Sequence, residues 1–414
     1  MSEHWISTTL GEYILFKNGK SSPSRDIAED IPVYGSNGII GFSSESNAEE
    51  DSLIIGRVGS YCGSVYHSKK KCWVTDNAII GLPKVKGESE FWYFLLTKLQ
   101  LNSYRSGSGQ PLVNQSTLNS IPVEIPKSPS VRQAIGKQLF SFENKIYLNN
   151  QINQTLESIA QAIFKSWFID FEPVRAKIAA KQNGEDPELA AMCAISGKSE
   201  EELQQMPEED LTELQATAAL FPDELVESEL GEVPKGWSIT KVDDILNRIK
   251  IKKRFKKNDV NSFGRTFVLE QGSNVILGFH NEEGSIPASK EEPAFIFGDH
   301  TCITKLMLSN FDVSENVIAV TGKKRNSYWT YYAIKDLQKF QEYRRHWMEL
   351  TSKQVVIADI NLTDYFAKKV KILHEDIEYS LRENLVLMNL RNTLLPKLLS
   401  GEISVSSFQE DTND

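Results

Sequence analysis

The sequence predicts an α+β protein in which two mixed α/β domains are separated by two long helices. The helices pair as an antiparallel coiled coil with an approximate two-fold. Three observations lead there. The chain of 414 residues is too long for one ordinary core. An opening signature recurs 232 residues later, and each copy is followed far downstream by a long helical apolar stripe. Trp5 opens a short amphipathic run with Leu10, Ile14 and Leu15; Trp237 opens another with Val242, Ile245 and Leu246. The first stripe is Leu156, Ile159, Ile163, Phe164, Trp167 and Phe168, spaced as one face of a helix. Moving each by 231 positions gives Leu387, Leu390, Leu394, Leu395, Leu398 and Leu399, all apolar. Six matches in register, plus the matching start, read as an internal duplication.

The elements follow in order. Residues 1–128 are rich in Gly, Ser, Tyr and β-branched residues, with turn signals at Tyr34-Gly-Ser-Asn-Gly38 and Gly107-Ser-Gly109, so they form a strand-rich mixed domain. Residues 129–175 hold the first spacer helix, its apolar pattern running over 131–171 until Pro173 ends or bends it. About 40 helical residues make a rod of roughly 60 Å. Residues 176–235 read as a helical, acidic and poorly cored connector closed by Gly231 and Pro234. Residues 236–373 form the second mixed domain. Residues 374–414 hold the second spacer helix, from about 375 to 400, and a polar tail; Pro396 should bend or restart that helix near its end and Gly401 stop it. An isolated amphipathic helix is not stable in water, so the two stripes need partners. Either they cover each other or each packs only on its own domain. Asn149, Asn150 and Asn153 interrupt the first stripe, where buried polar groups would set register.

Composition bounds the function. Apolar residues at 40% and charged residues at 25% describe a globular chain rather than a disordered one. The start, Met1-Ser-Glu-His-Trp5, has neither the basic nor the apolar region of a signal peptide, and no run is long and apolar enough to span a membrane. Cys62, Cys72, Cys193 and Cys302 have no metal or redox spacing, and a cytoplasmic location with reduced thiols is expected. The net charge of −10 is concentrated: residues 176–235 hold fifteen acidic and four basic side chains, leaving the remainder one charge above neutral. The two domains are therefore free to carry basic surface.

Two domains on an antiparallel helix pair have the symmetry of a reader of two separated half-sites on double-stranded DNA, spaced by about one helical turn, ~34–36 Å, or a multiple. Because the domains differ in sequence, the half-sites should differ too. The run from Arg248 to Lys257 holds seven Lys/Arg, of which Lys252, Lys253, Arg254 and Lys256 are the phosphate candidates, joined by Lys323, Lys324 and Arg325 and by Arg344 and Arg345. The first domain offers Lys69, Lys70, Lys71, Arg57 and Arg105. Base edges suit bidentate and adaptable groups on Gly-rich loops: Ser36, Asn37, Tyr61, Ser106, Ser108, Gln110, Asn114 and Gln115 in the first domain, and His280, Asn281, His300, Thr301, Lys305 and Gln354 in the second. In the helices, Leu156, Ile159, Ile163, Trp167, Leu387, Leu390, Leu394 and Leu398 are the expected pairing residues.

These residues resemble a known family, the specificity subunits of type I restriction-modification systems. The resemblance rests on Ile31-Pro-Val-Tyr-Gly-Ser-Asn-Gly-Ile-Ile-Gly-Phe42, Ile54-Ile-Gly-Arg-Val-Gly-Ser-Tyr-Cys-Gly63 with Trp73-Val-Thr-Asp76, and Phe297-Gly-Asp-His-Thr301. It extends to Ala160-Gln-Ala-Ile-Phe-Lys-Ser-Trp-Phe168, Leu394-Leu-Pro-Lys-Leu-Leu-Ser-Gly-Glu402, and the connector's Phe221-Pro-Asp and Ser228-Glu-Leu-Gly-Glu-Val-Pro-Lys-Gly-Trp237. It implies that the mixed domains are target recognition domains and that two methyltransferase subunits bind through the helices. Adenine methylation would then be done by those partners with S-adenosylmethionine. Restriction (motor-nuclease) subunits would add ATP- and magnesium-dependent translocation and cleavage.

The chain itself is not expected to be an enzyme and needs no cofactor or metal of its own. It lacks GxxxxGK[ST] and the Asn/Asp-Pro-Pro-Tyr/Phe motif of adenine methyltransferases, and its six histidines form no metal spacing with the cysteines. Asp299 and His300 could form an acid–base pair, but a lone Asp-His in such a loop is more often structural. The alternative function is a non-catalytic assembly scaffold, with docking domains on a coiled-coil spacer and no sequence-specific DNA reading. It leaves the clustered Lys and Arg unexplained.

Overall fold

In the computed structural model, which describes residues 5–105, 112–342 and 344–405, the chain divides into two units. The first comprises residues 1–148 and 386–414, the second residues 149–385. The long helices contribute to both.

The first unit begins with β1 (Trp5–Thr9), α1 (Leu10–Tyr13), β2 (Ile14–Asn18), β3 (Ile31–Gly35), β4 (Gly38–Ser43), β5 (Ser52–Gly56), β6 (Val65–Ser68), β7 (Trp73–Val74) and β8 (Ala78–Pro83). It continues with α2 (Ser89–Lys98), α3 (Gln115–Ser120), β9 (Pro122–Pro126) and the start of α4 (Pro129–Phe168). One sheet has the order β2-β8-β5-β6, a second β4-β3-β7, and β1 pairs with β9. Strand β5 is buried along its whole length, as its run of β-branched and aliphatic residues requires. Alternation sends Leu53 and Ile55 toward α2 and α4, among Leu10, Phe91, Trp92 and Leu139. It sends Ile54 the other way, toward Tyr34 and Val74 of the second sheet. The helix side is fixed by Arg132, which bonds Glu88 at 2.7 Å with both side chains only 1% exposed. Arg132 also donates to the Pro126 and Lys127 carbonyls, and Trp92 donates to the other Glu88 oxygen, so neither buried charge lacks partners.

The second unit repeats this order. After the connector come β12 (Ser238–Lys241), α9 (Val242–Ile245), β13 (Leu246–Arg248), β14 (Thr266–Leu269), β15 (Ile276–His280), β16 (Ala294–Gly298), β17 (Thr304–Met307), β18 (Asp312–Val313) and β19 (Val317–Gly322). Then follow α10 (Ser327–Ile334), α11 (Trp347–Ser352), β20 (Gln354–Ile357) and α12 (Ile360–Leu398). The sheets are β13-β19-β16-β17, β15-β14-β18 and β12-β20, strand for strand the topology of the first domain. Even the irregularity is shared: register shifts between Val33 and Tyr34 in one domain and between Val268 and Leu269 in the other.

The connector contains α5 (Glu172–Asn183), α6 (Pro187–Ser196), α7 (Glu200–Leu203), α8 (Glu208–Ala218) and a hairpin of β10 (Leu225–Ser228) and β11 (Gly231–Pro234). Pro173 sits in the first turn of α5, so it starts a helix after α4 has ended. The expectation of a poorly cored connector is corrected. Ala191, Met192, Leu203, Leu214 and Ala218 form a small core, and the buried Lys177 bridges Glu188 and the Phe221 carbonyl. Short helices with one or two inward residues each hide such a core from a periodicity count.

The helix pairing is antiparallel. Within the second unit Asn149 meets Glu383 and Asn384, Glu157 meets His374, and the Phe164 ring meets Phe366. Within the first unit Arg391 pairs with Glu143. Each helix also packs on domain cores, Ile135 and Leu139 in the first unit, Phe164, Trp167 and Phe168 in the second. Trp167 and Leu398 are buried, and Leu156, Ile163, Leu387 and Leu394 are half-buried. Ile159 and Leu390 are exposed, contrary to the stripe; beside Ile159 it is Ala160 that is buried. Of the polar positions only Asn149 is a buried, bonded group: 1% exposed, it donates to Glu383 at 2.6 Å and Asn384 at 2.9 Å. Asn384 donates to the exposed Asn150 at 3.0 Å, whereas the buried amide atoms of Asn153 have no partner among the described residues. Helix α12 starts at Ile360 rather than near 375, and it runs through Pro396 to Leu398 without ending there.

Candidate nucleic-acid interface

The first domain gathers one set of loops at the C-terminal end of β5. The tip of the β3–β4 turn, Ser36-Asn37, lies against Gly56: a Cβ built there would sit 2.7 Å from the Ser36 carbonyl and 2.3 Å from that of Tyr61. Only glycine permits this approach. Gly56 donates to Ser64 at 2.8 Å, the Arg57 amide donates to Asn77 at 2.9 Å, and the Arg57 carbonyl accepts from Val113 at 3.0 Å. Asn114 caps α3 by accepting from Thr117 at 2.8 Å, and Gln115 is the first residue of that helix. Ser36, Asn37, Arg57, Tyr61, Asn114 and Gln115 therefore come together, with Tyr61 and Arg105 exposed. Ser106, Ser108 and Gln110 lie outside the described residues.

Lys69, Lys70 and Lys71 are not part of this set. They follow the opposite end of β6, one strand of about 13 Å away. Lys69 lies over Phe140 of α4 and bonds Asn144, and Lys71 pairs with Glu49.

The second domain repeats the loop set at the end of β16. Gly298 donates to Ile303 at 2.8 Å, the Asp299 amide to Asn316 at 2.9 Å, and the Asp299 carbonyl accepts from His346 at 2.7 Å. His300 donates its amide to Gln271 on the β14–β15 connection, and half-buried Thr301 packs on Gly298. Position 299 thus occupies the place of position 57. Its carboxylate accepts from the amides of His346 at 3.1 Å and Trp347 at 2.9 Å, capping α11. This structural duty replaces the acid–base role considered for Asp299 and His300.

The basic run lies on the connection after β13. Ile249 and Ile251 pack on the core and Phe255 is buried, which turns Lys250, Lys252, Lys256 and Lys257 outward. Lys253 lies 4.3 Å over the Phe255 ring. Arg254 spends its guanidinium on the Ser314 and Val317 carbonyls, and burial with Arg248 nearby lowers its pKa. Lys323 and Lys324 are exposed; Lys324 reaches Thr240.

Four further candidates are drawn toward other parts of the protein. His280 does not face outward: it is 8% exposed, stacked on Phe255 at 4.8 Å and bonded to Asp312 at 2.9 Å. Lys305 is desolvated enough to lower its pKa, although Glu157 and Glu378 oppose this. Arg325 donates to the Lys324 and Ala358 carbonyls, and Gln354 on β20 donates to Glu229. Each follows from tertiary contacts that residue type does not reveal. Asn281 is exposed beside these elements, accepting from the Arg265 amide at 3.3 Å. Two residues absent from the expected base-reading set now enter: Gln271, and Met348, which is 75% exposed on α11.

Residues 2–158 match the family described as the type I restriction modification DNA specificity domain. Over 390 residues, 81% of each chain, the sequence is 30% identical to the type I restriction enzyme HindI specificity subunit of Haemophilus influenzae. The chain belongs to the type I restriction enzyme specificity subunits. A more distant relative is the MjaIX specificity subunit of Methanocaldococcus jannaschii, 25% identical over 79% of this chain and 72% of that one. The fold is shared with the S subunit of the type I restriction-modification system from M. genitalium, with a TM-score of 0.57, 15% identity and 96% of both chains covered. No helix among the described residues is long and apolar enough to cross a membrane, and no group of three His, Cys, Asp or Glu among them is arranged to hold a metal.

Proposed function

We propose that this chain is the address-reading subunit of a type I restriction-modification complex. Each mixed domain reads one half of a bipartite, asymmetric DNA site through its loop set. The observation that carries this reading is one backbone scaffold, with the same hydrogen bonds around positions 57 and 299, presenting different side chains in the two copies. A fixed frame with variable tips suits two readers of different half-sites. Two methyltransferase subunits, recruited through the helices, supply adenine methylation with S-adenosylmethionine. Restriction subunits supply ATP- and magnesium-dependent cleavage. This chain supplies no bond-making group, and it works in the cytoplasm beside the chromosome.

Methylome sequencing of cells carrying this chain with its methyltransferase tests the proposal. The expected result is one methylated motif made of two unlike half-sites around a fixed non-specific spacer. A continuous motif, a symmetric one, or methylation independent of this chain would overturn it.

A further inference from the structure

We propose that Arg345 is a base-reading residue of the second domain, positioned by Asp299, and that Arg57, first considered for phosphate, is its base-reading counterpart in the first. The inference rests on reading both domains as DNA readers. The backbone of position 57 donates to Asn77 and accepts from Val113; that of position 299 donates to Asn316 and accepts from His346. The two Cα atoms therefore stand at the same point of the repeated fold. The first domain places a guanidinium there, tethered through one terminal nitrogen to the Asp76 carbonyl at 3.3 Å. The second places a carboxylate there, 12% exposed and immobilised by two backbone amides of α11.

That carboxylate has its own arginine. The second Asp299 oxygen lies 3.8 Å from Nε of Arg345, whose side chain is 78% exposed. The neighbour Arg344 is already engaged, by Glu349 at 2.7 Å, Glu342 at 3.2 Å and Gln341 at 2.9 Å. The closest approach of Asp299 is to Nε, the stem side of the guanidinium, at a distance longer than a hydrogen bond. It draws the exposed arginine toward this point by charge, and a fork presented there matches O6 and N7 of guanine. Both domains thus bring a guanidinium to the same point, one from the strand end itself and one from the segment leading into α11. A bidentate fork distinguishes this role from a phosphate contact, which a lysine could make as well.

The test is methylome sequencing with the assembled methyltransferase, comparing wild type with Arg345→Lys, Arg345→Ala, Asp299→Asn and Arg57→Lys. Both Arg345 variants should lose about tenfold or more of their discrimination at one base pair of one half-site, leaving the other half-site unchanged. Arg57→Lys should do the same in the opposite half-site. Asp299→Asn keeps an oxygen for the α11 amides, and should relax the Arg345 position more weakly. If Arg345→Lys methylates the wild-type motif, or if Arg345→Ala lowers methylation evenly at all sites and lysine restores it, Arg345 is a phosphate contact and the inference is wrong. If the wild type methylates no bipartite motif, the proposed function fails first and takes this inference with it.

Discussion

Changing Lys252, Lys253 and Lys256 to alanine asks how strongly the connection after β13 grips phosphate. Each phosphate neutralised steepens the fall of log K with log salt by about 0.9. Lys252 and Lys256 are exposed on a strip anchored by Ile251 and Phe255, so each should contribute fully. Lys253 is drawn over the Phe255 ring and should contribute less. The triple variant should therefore lose between about 1.8 and 2.7 units of slope. Between 50 and 200 mM salt this amounts to roughly a 12- to 40-fold smaller change in affinity than the wild type shows. The assay is fluorescence anisotropy of the assembled methyltransferase complex on cognate and scrambled duplexes across that range. Both duplexes should be affected alike, since phosphate carries no sequence. An unchanged slope, or a loss confined to the cognate duplex, would refute the phosphate role.

Three further outcomes are expected. Gly56→Ala should abolish selective DNA binding while the protein stays folded, because the new methyl meets the Tyr61 and Ser36 carbonyls; retained selectivity in a binding assay would show that the loop set tolerates movement. Asn153→Leu should stabilise the protein by about 1 kcal/mol in chemical denaturation, since both amide atoms of Asn153 are buried with no partner among the described residues. A fall in stability would contradict this. His374 is held to about 4 by burial, against the attraction of Glu157. The unfolded chain therefore binds more protons between about pH 6.5 and 4, and stability should fall by up to about 3 kcal/mol as pH drops through that window. His374→Gln should flatten that part of the pH profile; an unchanged profile would place the loss elsewhere.

The duplication was legible because strong periodicity survives in helices, and α4 and α12 do begin 231 residues apart. In the domain interiors the offset drifts: β5 and β16 start 242 residues apart, and β9 and β20 start 232 apart. Loops of unequal length absorb the difference, so a fixed-offset comparison loses the strands while keeping both ends. The start of α12 was missed because Leu362, Phe366, Ala367 and Val370 pack in the same core as the domain, giving no change of pattern at the boundary. Two-residue strands such as β7 and β18 leave no local signal at all. At the candidate site, turn signals rich in Gly, Ser and Asn point to loops that the fold brings into one set with Ser36, Arg57, Tyr61 and Asn114. Residue type could not tell His280, turned under Phe255, from Met348, turned outward.

The path of α12 has a consequence for synthesis. Leu398, Leu399 and Val405 complete a core otherwise built from residues before 149. At about 5–20 residues per second, roughly 10–50 s separate the emergence of residue 148 from that of residue 386. For that interval the first domain on the ribosome lacks part of its own interior. A premature stop at residues 395–403 would therefore damage the N-terminal domain and leave the C-terminal one whole. The domain translated first is the last to be finished.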